Sequence, residues 1–277
     1  MVDLLFSDAR LAALYDLMCP WDGREDFGFY LPLVMSARSV LDVGCGTGML
    51  LHRAREAGHT GRLCGLDPAE GMLAQARRRS DVEWVRGDLA SVAWHAEFDL
   101  VVMTGHAFQV LLGDDELRVA LAAVREALRE DGRFVFETRN PAARAWERWT
   151  PDRAIEVVDA SGARVRNVSE VREVRGDLVT FTQTFAGAGA QPPPVSYSTL
   201  RFLGAERLAG FLSGAGLAVE RQFGDWDRGP VTHSSPEIIT VAARKPAGRV
   251  RLAHRVGTGG LCRAMGPRHV QQSDERK

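Results

Sequence analysis

The 277-residue sequence has few cysteines, no long apolar run and almost no net charge. Its four cysteines show no CxxC or metal-ligand spacing, so we expect no metal site and a reducing, cytoplasmic environment. No apolar stretch approaches about 18 residues, and the N-terminus carries Asp3 and Asp8 where a signal peptide would be basic. We therefore expect no membrane span and no signal peptide. The net charge of −1 supplies no overall field that would attract nucleic acid.

A glycine-rich stretch from Val40 to Gly48 reads VLDVGCGTG. The short, apolar segment from Ser39 to Val43, which overlaps the start of this stretch, predicts a buried parallel strand. The three glycines that follow permit positive φ and close approach of a ligand to the backbone. Residues 49–57 then have helical spacing and end at Gly58. A strand, a glycine turn and a helix N-terminus in this order predict a ligand site at the carboxyl end of a sheet.

The spacing of the glycines indicates the class of ligand. The stretch has G-x-G-x-G, whereas the dinucleotide fingerprint is G-x-G-x-x-G. The next apolar stretch ends at Asp67, where an acid can bind both hydroxyls of a ribose. VLDVGCGTG together with GLDPAEGML resembles the class I S-adenosylmethionine-dependent methyltransferases. The resemblance is close over residues 30–140 and is only architectural over residues 150–245.

The resemblance implies S-adenosylmethionine as the cofactor. The residues that it implies for cofactor binding are Tyr15, Gly44, Cys45, Gly46, Gly48, Asp67, Pro68, Met72, Asp88, Leu89 and Thr104. Three of them have structural alternatives that stay open. Asp67 also suits the cap of the following helix, Asp88 suits a turn after a glycine, and Tyr15 suits a packing aromatic.

The acceptor side is expected at the ends of the fourth and fifth strands and in a late loop. His106 is the candidate general base, because imidazole titrates near neutrality; the alternative is that it only packs or positions the acceptor. The candidate substrate residues are Tyr30, His106, Glu137, Arg139, Trp226 and His233. Structural roles stay open for each of them.

Strands and helices alternate over the first half of the chain, which predicts an α/β fold with a parallel sheet. Strands are expected at residues 39–43, 62–66, 82–86, 98–103 and 133–137, and helices at 49–57, 71–79 and 114–130, the last capped by Asp114. Residues 155–158, 165–174, 178–185 and 195–202 predict an inserted antiparallel sheet. A helix at 204–214 and strands at 217–223 and 238–243 follow. With the resemblance, this is a Rossmann-like, doubly wound, mostly parallel seven-stranded sheet with a late antiparallel strand.

The expected division of the chain has four parts. An N-terminal helical lid covers residues 1–30, the core comprises residues 31–149 and 204–245, the insertion covers residues 150–203, and a disordered tail covers residues 246–277.

We therefore expect transfer of a methyl group from S-adenosylmethionine to nitrogen or oxygen of a small-molecule acceptor by in-line displacement. Two other classes stay open, a nicotinamide-dependent oxidoreductase and a non-catalytic S-adenosylmethionine-binding protein. A nucleic-acid methyltransferase is disfavoured by the near-zero net charge. The expected assembly is a monomer or a homodimer.

Overall fold

The computed structural model describes residues 2–189 and 191–245; the tail predicted to be disordered, residues 246–277, lies outside the described residues. The helices are α1 (Leu4–Ser7), α2 (Ala9–Met18), α3 (Glu25–Ser36), α4 (Met49–Glu56), α5 (Glu70–Ala76), α6 (Asp114–Ala127) and α7 (Ala205–Gly214). The strands are β1 (Ser39–Val43), β2 (Arg62–Asp67), β3 (Glu83–Arg86), β4 (Phe98–Met103), β5 (Leu128–Arg139), β6 (Ile155–Val158), β7 (Arg164–Arg175), β8 (Leu178–Ala186), β9 (Val195–Arg201), β10 (Leu217–Phe223) and β11 (Glu237–Arg244).

Seven strands form the larger sheet, in the order β10-β11-β5-β4-β1-β2-β3. Its neighbouring strands are parallel except at β11, which runs antiparallel to both β5 and β10. β1 is buried along its whole length, because α3 and α4 cover one face of the sheet and α6 and α7 the other. The strand order reverses between β1 and β4, and ligands of open α/β sheets bind at such a point. The predicted fold class is confirmed.

Four antiparallel strands, in the order β6-β7-β8-β9, form the second sheet. The N-terminal helices pack on it, with Leu5 and Leu11 against Val165 and Phe185. The backbone N–H of Leu5 also donates to Ser196 Oγ at 3.0 Å. On their other side these helices contact α5, so they join the inserted sheet to the core.

Several local features differ from the sequence-based expectation, and α5 ends at Ala76 rather than at residue 79. α3 was not predicted, because Gly28 and Pro32 disfavour a helix; burial of its aromatic face in the core outweighs that preference. α6 ends at Ala127 and β5 begins at the next residue, so the helix is shorter than expected. The expected cap at Asp114 is wrong: Gly113 is the N-cap, and Asp114 lies in the first turn.

The division of the chain into lid, core and insertion stays a prediction, and α3 runs across its boundary at residue 30. Within the described residues, no helix is both long enough and apolar enough to cross a membrane.

Candidate functional site

Three glycines with positive φ shape the loop that follows β1. Gly44, Gly46 and Gly48 have φ values of +72°, +57° and +79°. A Cβ on Gly44 would collide with Ala107, and one on Gly48 would collide with the Trp84 ring. A Cβ on Gly46 would meet no atom within 4 Å. Packing therefore requires the first and third glycines, whereas the second leaves its backbone open to a ligand.

Asp67, at the end of β2, fixes the conformation of this loop. One carboxylate oxygen accepts from the Gly46 N–H at 2.8 Å, and the other accepts from the Ala69 N–H at 2.8 Å. Burial raises the pKa of Asp67, while these two hydrogen bonds lower it. Each oxygen keeps a second acceptor site, so the same carboxylate can also receive the hydroxyls of a ribose.

Asp42 is a buried acid without a full set of partners. It is the fourth residue of β1 and only 1% exposed, and its Oδ1 has no hydrogen-bond partner among the described residues. Burial raises its pKa to about 7, and the negative charge of Asp67 adds to the increase. An orphaned carboxylate oxygen of this kind fits a cationic ligand group that supplies the missing donor.

The N-terminal helices cover the glycine loop. Thr47 Oγ1 donates to Asp16 Oδ1 at 2.6 Å, which ties α2 to the loop. A cavity of about 40 Å³ remains between them, and its lining includes Tyr15, Asp16, Arg24, Asp42, Gly46 and Thr104. Burial raises the pKa of the Tyr15 hydroxyl to about 12, so the phenol is neutral and can donate.

Arg24 supplies a cation to this cavity. Its Nε and Nη2 donate to the two carboxylate oxygens of Asp26 at 2.8 and 2.5 Å. A Cβ on Gly105 would lie 3.4 Å from Arg24 Nη2 and 3.9 Å from the Tyr15 hydroxyl, so both groups are close to the end of β4. Sequence reasoning missed Arg24, because charged residues such as those in the run Arg24-Glu25-Asp26 are mostly exposed in folded proteins.

The structure brings together some of the predicted cofactor residues and separates others. Tyr15, Gly44, Cys45, Gly46 and Thr104 line the cavity. Met72 is buried beside Tyr15, and Leu89 is buried in the core. Pro68 and Asp88 are exposed, and the Asp88 carboxylate accepts from the Ala90 and Ser91 N–H groups of a turn. The cofactor role of these residues stays a prediction.

His106 occupies a strained backbone position after β4. Its φ is +65°, although it carries a side chain. Its backbone N–H donates to Glu137 Oε1 at 2.7 Å, and the Tyr30 hydroxyl donates to the other oxygen of Glu137. Glu137 is fully buried, and burial raises its pKa. Three of the predicted substrate residues therefore form one hydrogen-bonded group, although their role toward an acceptor stays a prediction.

Glu237, on β11, completes this group and was missed by sequence reasoning. Both of its carboxylate oxygens lie 3.0 Å from His106 Nε2. Nothing in the sequence links the two residues, because 131 positions separate them and only the antiparallel pairing of β11 with β5 brings them together. The same pairing places Glu237 opposite Arg139.

The remaining predicted substrate residues differ in their surroundings. Arg139 Nη1 donates to Gln109 Oε1 at 3.0 Å, and its guanidinium lies 5.3 Å from the centre of a tryptophan ring. Trp226 packs against Phe29 and Tyr30 in the core. His233 is exposed in the loop before β11. Over residues 2–189 and 191–245, no cluster of three or more His, Cys, Asp or Glu side chains is arranged to hold a metal.

Comparison with known proteins identifies the domain. Residues 40–132 match the family model of a methyltransferase domain. The chain is 27% identical over 214 residues to the cypemycin N-terminal methyltransferase of a Streptomyces species, an alignment that covers 76% of this chain and 85% of the relative. It is 32% identical over 172 residues to the dTDP-3-amino-3,6-dideoxy-α-D-glucopyranose N,N-dimethyltransferase of Streptomyces fradiae, covering 58% of this chain and 64% of that enzyme.

The fold is shared with solved structures. The CcbJ methyltransferase from Streptomyces caelestis superposes with a TM-score of 0.66 at 22% identity. The superposition covers 84% of this chain and 96% of that one. It therefore extends over both sheets and beyond the segment matched by the family model.

Proposed function

We propose that this chain, an S-adenosylmethionine-dependent methyltransferase of the class I fold, methylates an amine nitrogen of a small-molecule acceptor. The general activity, transfer of a methyl group to a small molecule, follows from the methyltransferase domain and its relatives. The choice of nitrogen is supported by the names of two relatives, one an N-terminal methyltransferase and the other an N,N-dimethyltransferase of an amino sugar.

The proposed cofactor site rests on one observation. The Asp42 carboxylate, one oxygen of which lacks a hydrogen-bond partner among the described residues, lies beside Gly46, whose Cα faces free space. In our proposal Asp42 accepts a hydrogen bond from the α-ammonium group of the methionine part of the cofactor. Arg24 pairs with the carboxylate group of the same methionine part. Asp67 accepts from the ribose hydroxyls. The same proposal assigns Pro68, Met72, Asp88 and Leu89 to the adenine. Bound S-adenosylmethionine supplies a methyl group that is already activated by a sulfonium sulfur.

The protein's own contribution is to orient the acceptor and to exclude water. Holding two reactants in line at about 3 Å is worth roughly 7–11 kcal/mol, so no nucleophilic side chain is needed. The cavity of about 40 Å³ is far smaller than the roughly 300–1,000 Å³ of small-molecule sites. We infer that α2 moves away from Thr47 to admit the cofactor and closes over it afterwards.

A cytoplasmic location is part of the proposal and is supported by the thiols of Cys19, Cys45 and Cys64, which are all free. A monomer or homodimer is proposed as the assembly, and size-exclusion chromatography with light scattering tests it.

The first experiment measures thermal unfolding with S-adenosylhomocysteine, with NAD and NADP as controls. Ligand at a hundred times its Kd adds about 2.7 kcal/mol, which raises the Tm by a few degrees in a domain of this size. We expect a shift with S-adenosylhomocysteine alone. A shift with a nicotinamide nucleotide alone would contradict the cofactor assignment.

The second experiment tests the acceptor atom. The protein is incubated with labelled S-adenosylmethionine and matched pairs of acceptors, each an amine and its hydroxyl analogue: a short peptide with a free or hydroxy-substituted N-terminus, and an amino sugar with its parent sugar. We expect label in the amines. Label in the hydroxyl analogues alone would replace nitrogen by oxygen, and cofactor binding without turnover of any acceptor would indicate a non-catalytic protein.

A further inference from the structure

We propose that Glu237 is the positioning residue of the acceptor site, and that it holds His106 with Nδ1 free to remove a proton from the acceptor. This inference rests on the proposed methylation of an amine. It concerns a residue to which neither the sequence motifs nor the names of the relatives give a role.

The first observation is that both the backbone and the side chain of His106 are held by hydrogen bonds to carboxyl groups. Glu137 fixes its backbone through the N–H, and Glu237 fixes its side chain through Nε2. A left-handed backbone is unfavourable for a residue other than glycine, because Cβ crowds the carbonyl oxygen. Such strain persists only where surrounding contacts impose it, and it concentrates at functional sites. The residue lies directly after Thr104 and Gly105, which line the cofactor cavity.

The second observation concerns the other ring nitrogen. No described residue forms a hydrogen bond with Nδ1, yet Nδ1 is absent from the buried polar atoms that lack a partner. The His106 side chain is 19% exposed. Nδ1 therefore borders open space. A histidine with one nitrogen held by a carboxylate and the other accessible has the arrangement of a general base.

The third observation is the charge around the pair. The charged groups that act on it are Arg24 directly before α3, Asp26 of α3, Glu137 and Arg139 of β5, and Asp225 in the loop after β10. Burial, with Arg139, lowers the pKa of His106 to about 3. Burial raises the pKa of Glu237 to about 8, against the opposing effect of Arg139. Between these values the pair is neutral, with one proton between the Glu237 carboxyl group and His106 Nε2.

Loss of that proton prepares the base. Above about pH 8 the Glu237 carboxylate accepts from Nε2–H, and Nδ1 carries the lone pair. An N–H bond of the acceptor ammonium then breaks, its electron pair stays on the acceptor nitrogen, and the proton forms a bond to Nδ1. The ionised Glu237 carboxylate stabilises the positive charge that moves to the imidazole, so the imidazole binds a proton more tightly once Glu237 has ionised than it does in the neutral pair. The proton leaves to solvent after turnover, so that the pair returns to its starting state.

The test that needs no acceptor is NMR of the protein labelled with ¹⁵N in its seven histidines. The His106 signals are assigned by their loss in His106→Asn. We expect the imidazole to stay neutral from pH 5 to 9 and to exchange its Nδ1–H tautomer for the Nε2–H tautomer with a midpoint near pH 8. In Glu237→Gln this midpoint should disappear, and in Glu237→Asp, which keeps the acid, it should persist.

The matched control is Glu220→Gln, which removes a carboxylate of neighbouring β10 that binds Arg133 on the surface. It should leave the His106 midpoint unchanged. A midpoint that survives in Glu237→Gln, or a proton on Nδ1 above pH 8, would overturn the proposal. Both outcomes are independent of methyl transfer, so a failure here is distinguishable from a failure of the proposed function.

The kinetic test uses whichever amine of the acceptor panel is methylated. Glu237→Gln should lower kcat about 10- to 100-fold, leave the KM for S-adenosylmethionine unchanged and remove the rise in kcat near pH 8. In the His106→Asn background the same substitution should have no further effect, because the two residues act as one unit. A uniform loss at every pH, additive with that of His106→Asn, would indicate a merely structural role.

Discussion

The buried Asp42 side chain should destabilise the fold near neutral pH. The Asp42→Asn substitution measures the size of this effect. A buried acid whose folded-state pKa lies above its unfolded-state value stabilises the fold only while it is protonated. For Asp42 that pKa rises from the usual 3.8 to about 7. The contribution is fully present below pH 3.8 and is lost as the pH rises through 7.

The magnitude follows from the size of that increase. Each pH unit between the two pKa values corresponds to about 1.4 kcal/mol, so the native protein loses about 4 kcal/mol between pH 3.8 and pH 7. The asparagine side chain of the variant does not ionise, so the variant does not lose this stability. Because the amide also needs partners in a buried site, part of the gain is offset by about 1–2 kcal/mol. We expect Asp42→Asn to stabilise the fold by about 2–3 kcal/mol at pH 8 and not to stabilise it at pH 4.

The assay is urea unfolding of both proteins at several pH values, with calorimetry of S-adenosylhomocysteine binding alongside. The variant should bind roughly 10- to 100-fold more weakly, because a charge-assisted hydrogen bond is worth about 1.5–3 kcal/mol. Asp99→Asn is the matched control. Asp99 lies at the opposite end of the sheet, where burial raises its pKa but the hydrogen bonds from Arg129 and Ser39 outweigh burial and lower it.

The control should therefore show the opposite sign. A depressed pKa stabilises the fold above the unfolded-state value, so Asp99→Asn should destabilise the protein at pH 8, with a smaller effect toward pH 3. The reasoning about Asp42 is refuted if its Asn variant shows the same pH dependence of unfolding as the native protein, or if it binds S-adenosylhomocysteine with unchanged affinity.

Four further substitutions test the loop and the acceptor group. Gly48→Ala should destabilise the fold by more than about 1 kcal/mol, because its Cβ meets an indole ring. Gly46→Ala should fold and lose affinity for S-adenosylhomocysteine. Urea unfolding midpoints compare the stabilities of the two variants and calorimetry compares their affinities; equal midpoints would contradict the packing argument. Tyr30→Phe should cost about 1–3 kcal/mol of unfolding free energy, because it leaves an oxygen of Glu137 unpaired in the core, and an unchanged urea midpoint would argue against that contact. Thr47→Val should speed hydrogen exchange in α2 and quicken release of bound S-adenosylhomocysteine, and unchanged rates would show that the helix is held elsewhere.

Much of the fold was predictable, because the signals that define it are local. The predicted strands at residues 39–43 and 98–103 have the observed bounds, since short apolar runs between polar turns determine them. The inserted antiparallel strands were predictable for the same reason, from alternation punctuated by glycine. α3 was not, because its local preference opposes a helix and only the burial of Phe27, Phe29 and Tyr30 stabilises it.

The residues on the cofactor side of the site come from contiguous sequence motifs, whereas those on the acceptor side are distant from one another in the sequence. VLDVGCGTG places three glycines and Asp42 on one strand and its loop, so their proximity needs no tertiary information. Asp67 follows on the neighbouring strand, because parallel strands end at the same edge of a sheet. Even there, the missing partner of Asp42 became visible only in the packed structure.

By itself the sequence determined the glycine loop, the order of strands and helices along the chain, and the class of chemistry, because each depends on residues that are neighbours in the chain. Only the tertiary structure decided which groups surround His106. Glu237 reaches it because β11 runs antiparallel to β5. Arg24 reaches the cavity because an otherwise unfavourable helix is buried against the sheet. Contacts between residues distant in sequence depend on which strands pair and which faces are buried, and no local pattern encodes that choice.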